Sequence, residues 1–250
     1  MTDRSHSRFF IPKSTFHNLA QEKQSRIVDA AIGEFAAVPF ESASINRIVR
    51  ASGISKGSFY QYFDDMLDLY RHAVIAEGAK RKFAMVNASG FDGQGGLFGQ
   101  LKAMVVASLR FGLVEPRLLA ASLSMRGPFG RNSPLRELHD EHLALVQGAI
   151  EATLMSGVQS GAVRPDVDLS AAAFLIVLAV GHGLEPMMRQ QLGFGLHDVA
   201  SQPTLADTVD DAALETVVDA LLNVIIDGIR ADPDAGTLNL DRLFSIHEGP

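Results

Sequence analysis

Residues 41–63 read ESASINRIVRASGISKGSFYQYF, two short helical patterns parted by a glycine, and their spacing predicts a helix-turn-helix. Ser44 stands where a side chain caps a helix, and Ile45, Ile48 and Val49 follow at i, i+3 and i+4, giving the first helix one apolar face. Gly53 supplies the positive φ that a tight corner needs, and Ile54 is placed to enter the core. Ser55 offers a second cap. With Phe59 inward, a rotation of about 100° per residue carries Gly57, Ser58 and Gln61 to the opposite side, flanked by Lys56 and Tyr60. That outer face suits a DNA duplex. Gly57 holds nothing off the surface, Lys56 offers a point charge to a phosphate, and the hydroxyls of Tyr60 and Tyr62 can donate to phosphate oxygens. The alternative is a helical hairpin with no such role. Apolar spacing alone fits either reading, whereas the joint presence of turn glycine, outward glycine, lysine and tyrosines favours the first.

The run SKGSFYQYF after ASGI closely resembles the recognition helix of the TetR/AcrR-like family of bacterial transcriptional regulators. The resemblance covers roughly residues 23–74, from the preceding helix RIVDAAIGEFA to the following DMLDLYRHAV. It implies an all-α fold, with an N-terminal three-helix DNA-binding domain and a larger helical domain for effector binding and dimerisation. It also implies that Ser44, Ser55, Lys56, Gly57, Tyr60 and Tyr62 hold the DNA backbone, with Ser58 and Gln61 nearer the base edges. One departure concerns the start of the fourth helix, where many members carry a phosphate-touching lysine and this chain reads Asp64, Asp65, Met66. Carboxylates there suit the helix dipole rather than DNA, so the N-terminal arm is expected to supply the missing cation.

Charge is divided along the chain. The 250 residues carry a net −7, yet residues 1–82 hold 12 Lys and Arg against 9 Asp and Glu, a net +3, while the remainder holds 10 against 20, a net −10. The basic half contains the helix-turn-helix, and an acidic body behind it would orient the protein on a duplex. The absence of cysteine excludes disulfides and thiolate metal sites. The longest apolar run, AAAFLIVLAV at 171–180, is half the length of a membrane span, and the first residues lack a secretory apolar region. A cytoplasmic location is expected.

Nearly every segment past the tail has helical periodicity. Residues 1–20 interleave Arg4, Arg8 and Lys13 with Phe9, Phe10 and Phe16, and read either as a loosely docked terminus or as a DNA-touching arm. Residues 21–82 form the expected DNA-binding domain and 83–250 the body. A helix from Gln21 to Ala37, with Ile27, Ala31 and Phe35 on one face, ends before Pro39, and a fourth helix runs from 64 to about 86. NASGFDGQGG at 87–96, with four glycines in ten residues, marks the boundary. The body then offers helices over 97–114, 118–125 and about 134–157, a Gly-Pro-rich stretch GPFGRNSP, and two long helices capped by Asp168 and by Asp210 or Asp211.

Those two last helices are rich in small and branched residues, a pattern equally consistent with core and with a subunit contact. The resemblance implies a homodimer through them, with Ala173, Val180, Leu221 and Val224 at the interface. A small-molecule effector pocket, expected to be apolar, would draw on Met104, Phe111, Met125, Phe129, His182 and Met187, although such residues also serve as plain core. His182 between two glycines reads as a satisfied histidine or a ligand contact. The cluster Glu137, His139, Asp140, Glu141, His142 is the one dense polar group. Its histidines are three apart rather than four, so a metal sensor or helical enzyme built on it is the alternative class, as is regulation by a protein partner. With no nucleotide-binding or nucleophile motif in the chain, no catalytic residue, metal or cofactor is expected.

Overall fold

The computed structural model describes residues 12–88, 95–125 and 133–231, and these are helical throughout with no strand among them, the one isolated bridge joining Val163 to Arg230. In chain order the helices are α1 (Ser14–His17), α2 (Gln21–Ala37), α3 (Ile45–Ser52), α4 (Lys56–Tyr62), α5 (Met66–Tyr70), α6 (Glu77–Ala88), α7 (Gly96–Val114), α8 (Pro116–Leu123), α9 (Pro134–Gln159), α10 (Leu169–Leu178), α11 (Leu184–Leu192), α12 (Leu196–Ser201) and α13 (Asp211–Ile229). Widened π-helical turns at Arg71–Ala76 and Ala179–Gly183 join α5 to α6 and α10 to α11. The expected fourth helix is therefore continuous, as is the long helix after Asp168.

Local chemistry sets most boundaries. Ala37 ends α2 before Pro39, because the residue preceding a proline is driven from helical to extended backbone. Asp65, Asp168 and Asp210 each accept a hydrogen bond from the backbone N–H three residues on, at 2.8, 3.0 and 2.8 Å. Gly53 adopts φ 70° at the α3 corner.

Two apolar clusters result. The head cluster gathers Phe16, Phe35, Phe40, Phe59, Phe63, Tyr62 and Tyr70 around Ile27, Ile48 and Leu69. It also takes Leu118 and Ala121 from α8, Met125 just after it, and Leu135 and Leu138 from α9. Across the expected division at residue 82, α8 lies along α2, and the Tyr70 hydroxyl donates to the Ala121 carbonyl at 2.8 Å. The ion pair Arg71–Glu141 at 2.7 Å ties head and body further, and Arg81–Asp29 at 2.9 Å holds α6 to α2. The body cluster packs α7 and α10 to α11 around α13 and is almost wholly aliphatic.

Gly96–Val114 and Leu169–Leu192 are long and apolar enough to cross a membrane by length and composition alone, with mean hydropathies of 1.4 and 1.6. Charged and glycine residues interrupt both, so neither contains an uninterrupted apolar run of that length. Each lays its inner face on α13, contributing Leu109 and Leu113, and Ala172, Ile176 and Met188, to the body cluster.

Candidate nucleic-acid interface

The recognition helix α4 has only seven residues, too few to persist alone, because nucleation costs more than a short helix returns. Both ends are held from outside it. At the start, Ser55 Oγ accepts from the Ser58 N–H at 3.0 Å. At the end, the carbonyls left without helical partners are taken by the segment before α2: Lys13 N–H donates to Tyr62 O at 3.0 Å, Lys13 Nζ to Tyr60 O at 2.9 Å, and Thr15 Oγ1 to Gln61 O. Phe16 anchors this clamp, buried against Phe63 and His72 with ring centres 5.0 Å away in each case. Sequence reasoning missed the clamp; the alternation of Lys13 and Phe16 was its only trace.

Ser44 occupies the N-cap position of α3, but its hydroxyl makes no capping bond. Glu34 of α2 anchors the start of α3 from outside. The Glu34 carboxylate accepts the Ser44 N–H at 2.7 Å and the Arg47 Nε–H at 2.9 Å, and Arg47 also donates to Ser42 O at 2.7 Å. The Arg47 guanidinium holds the Glu34 carboxyl below the usual carboxylate range, so this anchor is ionised at neutral pH.

The outer face of α4 matches the projection in most respects. Phe59 is fully buried, while Ser55, Lys56, Gly57, Tyr60 and Gln61 are exposed. Ser58 is half-buried and its hydroxyl lies 2.9 Å from that of Ser55, so its hydrogen-bonding capacity is partly spent within the head. Tyr62 is buried instead. Its ring is 6% exposed, edge-on to Phe16 and beneath the Lys23 ammonium at 5.8 Å, because the last turn of α4 faces α1 rather than solvent. Lys13, the arm cation inside the described residues, pairs with Asp64 at 2.7 Å and is committed to the clamp. The remainder of the arm, with Arg4, Arg8, Phe9 and Phe10, lies outside the described residues.

Gly57 is informative because the fold does not require it. A Cβ built there meets nothing nearer than Ser55 Oγ at 3.7 Å, yet glycine inside a helix costs about 1 kcal/mol relative to alanine. The space it leaves is outside the protein.

The expected effector residues are not brought together. Met104 projects from α7 at 62% exposure, Phe111 and Met125 belong to the head cluster, His182 is exposed, and Met187 is half-buried in the body; Phe129 lies outside the described residues. Instead, one cleft of about 520 Å³ runs between the α7 to α8 corner and residues 203–209. A larger one of about 690 Å³ lies between α6, α7 and α13. None of the five described residues lines either, since periodicity locates an apolar face without saying which faces part to leave a cavity. Glu141 is used by Arg71, and among the described residues no group of three or more His, Asp or Glu is arranged to hold a metal ion.

Of the expected interface residues, Ala173 is buried within the chain at 0% exposure. Val180 and Leu221 are half-buried, and a Cβ at Gly183 would stand 2.5 Å from Leu221 Cδ1, so the small residues let the α10 to α11 turn approach α13 within one chain. Val224 is 81% exposed, and Phe174, Leu175 and Leu178 on α10 are also exposed.

Residues 27–73 match the sequence profile of the bacterial regulatory proteins of the tetR family. No curated protein matches the chain. Among solved structures, a TetR family transcriptional regulator from Chloroflexus aurantiacus J-10-FL is 26% identical, with 89% of this chain and 100% of that one covered at a TM-score of 0.60. FadR from Bacillus subtilis, solved with stearoyl-CoA, is 17% identical over 82% of this chain and 98% of its own, with a TM-score of 0.57. TylP, a TetR regulator from Streptomyces fradiae, is 17% identical over 84% and 88% at 0.58, and these last two share the fold. Residues 27–73 thus carry the tetR-family segment, and over most of its length the chain resembles a TetR family transcriptional regulator in its two-part helical architecture.

Proposed function

We propose that the protein is a homodimeric, sequence-specific DNA-binding repressor of the cytoplasm, released from its operator by a small, largely apolar effector bound in the body. The observation that carries the DNA reading is the exposed face of α4, where Gly57 is dispensable to the fold and adjoins Lys56, Tyr60 and Gln61. Lys56 and Tyr60 would hold phosphates, and Gln61, the exposed amide, would read a base edge in the major groove. Dimerisation through α10 to α11 and α13 would place two such helices one DNA turn apart, about 34–36 Å. Release follows from the connection between the parts. The helix running from α5 to α6 carries Tyr70 and Leu69 in the head cluster at one end and lines the larger cleft with Met85 and Val86 at the other, so an occupant of the cleft bears on the element that orients the head.

Selection of bound duplexes from a random pool tests the reading directly, and a recovered two-fold site with half-sites one turn apart is the expected result. Gly57→Ala separates fold from function. The variant should be more stable by about 0.5–1 kcal/mol, since alanine favours helix, while its affinity for the selected site falls. Unchanged affinity would remove α4 from the DNA contact.

A further inference from the structure

The larger cleft has an incomplete charge pattern. Helices α7 and α13 pack side by side in opposite senses, and ionic contacts cross between them like rungs: Lys102 Nζ to Asp219 Oδ1 at 2.6 Å, and Arg110 to Asp211. On α13 the carboxylates continue at i, i+4 and i+8, as Asp211, Glu215 and Asp219. On α7 the matching positions are Arg110, Val106 and Lys102, so the middle rung sets Glu215 against a valine. All six side chains line the cleft, which therefore holds three carboxylates and two cations. Glu215 is exposed and makes no ion pair among the described residues, and Lys82 of α6, which donates to Ser108 Oγ at 3.4 Å, is not among the residues lining the cleft. Gly99, Ala103, Ala107 and Val218 form an apolar floor below the rung, and Met85 of α6 forms the facing wall.

A site with an apolar floor, an adaptable methionine wall and one uncompensated carboxylate is complementary to one kind of small molecule. We propose that this cleft binds amphiphilic monocations, an alkyl or aryl ammonium whose charge meets Glu215 and whose apolar part lies over Ala103, Ala107 and Val218. A volume of about 690 Å³ suits a drug-sized ligand, and the acidic body raises the local concentration of cations. Among the residues that line the cleft, the carboxylates exceed the cations by one whichever way Lys102 and Arg110 share their three partners. This assignment rests on the reading of the protein as an effector-released regulator, and it fixes where that effector sits and its charge.

Calorimetric titration of the full chain with n-octylammonium, 1-octanol and octanoate tests the site without any DNA. Saturable binding of one n-octylammonium per chain is expected, with the alcohol weaker by roughly two- to fivefold and octanoate weaker still. Glu215→Gln should bring the cation down to the level of the alcohol. Val106→Lys supplies the missing rung from α7 and should abolish cation binding. Both positions face the cleft, and thermal melts of each variant confirm that the fold is retained. Equal affinity for octanoate, or an unchanged cation affinity in Glu215→Gln, would overturn the proposal. Operator affinity with and without n-octylammonium is measured separately. Glu215-dependent binding with no change at the operator upholds the site and refutes effector release through it, while absent binding by a protein that still selects an operator refutes the site alone.

Discussion

Head and body are built from different side chains. Seven buried aromatic residues meet in the head, several at ring separations of 4.9 to 6.1 Å and near-perpendicular, whereas the buried body cluster contains one, Phe98, amid leucine, valine and isoleucine. Edge-to-face aromatic contacts are directional and rigid, and the head adds hydrogen bonds that pin both ends of α4 and the start of α3. Aliphatic packing depends on area and shape, so it tolerates small sliding of helices at modest cost. The head is thereby suited to present a fixed surface. The body, with two clefts and an exposed apolar strip, is suited to change.

The sharpest test of that contrast pairs two substitutions in the body. Ala173→Asp buries an unpaired charge at a fully buried site and should cost about 3–5 kcal/mol, seen as loss of the cooperative thermal transition at 37 °C. Val224→Asp, at 81% exposure, should leave the monomer's helical circular dichroism intact while sedimentation shows dissociation and operator affinity collapses. A Val224→Asp protein that remains dimeric would place the subunit contact elsewhere.

A smaller effect probes the rigidity of the head. Thr15→Val removes the donor to Gln61 O, for about 0.5–1.5 kcal/mol, and hydrogen exchange should rise at α4 amides with little change in α13. Equal rises in both parts would show that head and body open as one unit.

The head should also confer acid sensitivity. Burial beside Phe16 and Phe63 pushes the His72 imidazole down to about 4, whereas an unfolded histidine titrates near 6.5. Protonation then favours the unfolded chain, so this contribution is intact above pH 6.5 and is lost progressively as pH falls toward 4. Denaturation of wild type and His72→Leu across that window should show the steeper decline in wild type. Parallel curves would mean that His72 is already solvated.

The smallest expected change concerns Lys56, which is exposed and has no ion pair among the described residues. Lys56→Ala should leave stability unaltered and lower the salt slope of log K by about one unit, read from titrations at several salt concentrations. An unaltered slope would take Lys56 off the phosphate backbone.

Local rules carried the sequence a long way where a feature depends on a few adjacent residues. The corner at Gly53, the caps at Ser55, Asp65, Asp168 and Asp210, the stop before Pro39 and the inward Phe59 are each set by backbone conformation or by one side chain reaching three residues along, so they could be read from spacing. The all-helical class and the outer face of α4 followed from the same periodicity. Features joining distant residues were decided by tertiary structure. Glu34 anchored the start of α3 from outside, Lys13 and Thr15 closed the end of α4, α8 entered the head cluster, and Ala173 turned inward while Val224 stayed outside. An apolar stripe specifies that it will be covered but carries no address for its cover, and a cavity belongs to no single helix. The Glu215 rung shows this: each helix reads as an ordinary amphipathic segment, and the unmatched charge exists only once α7 and α13 lie side by side.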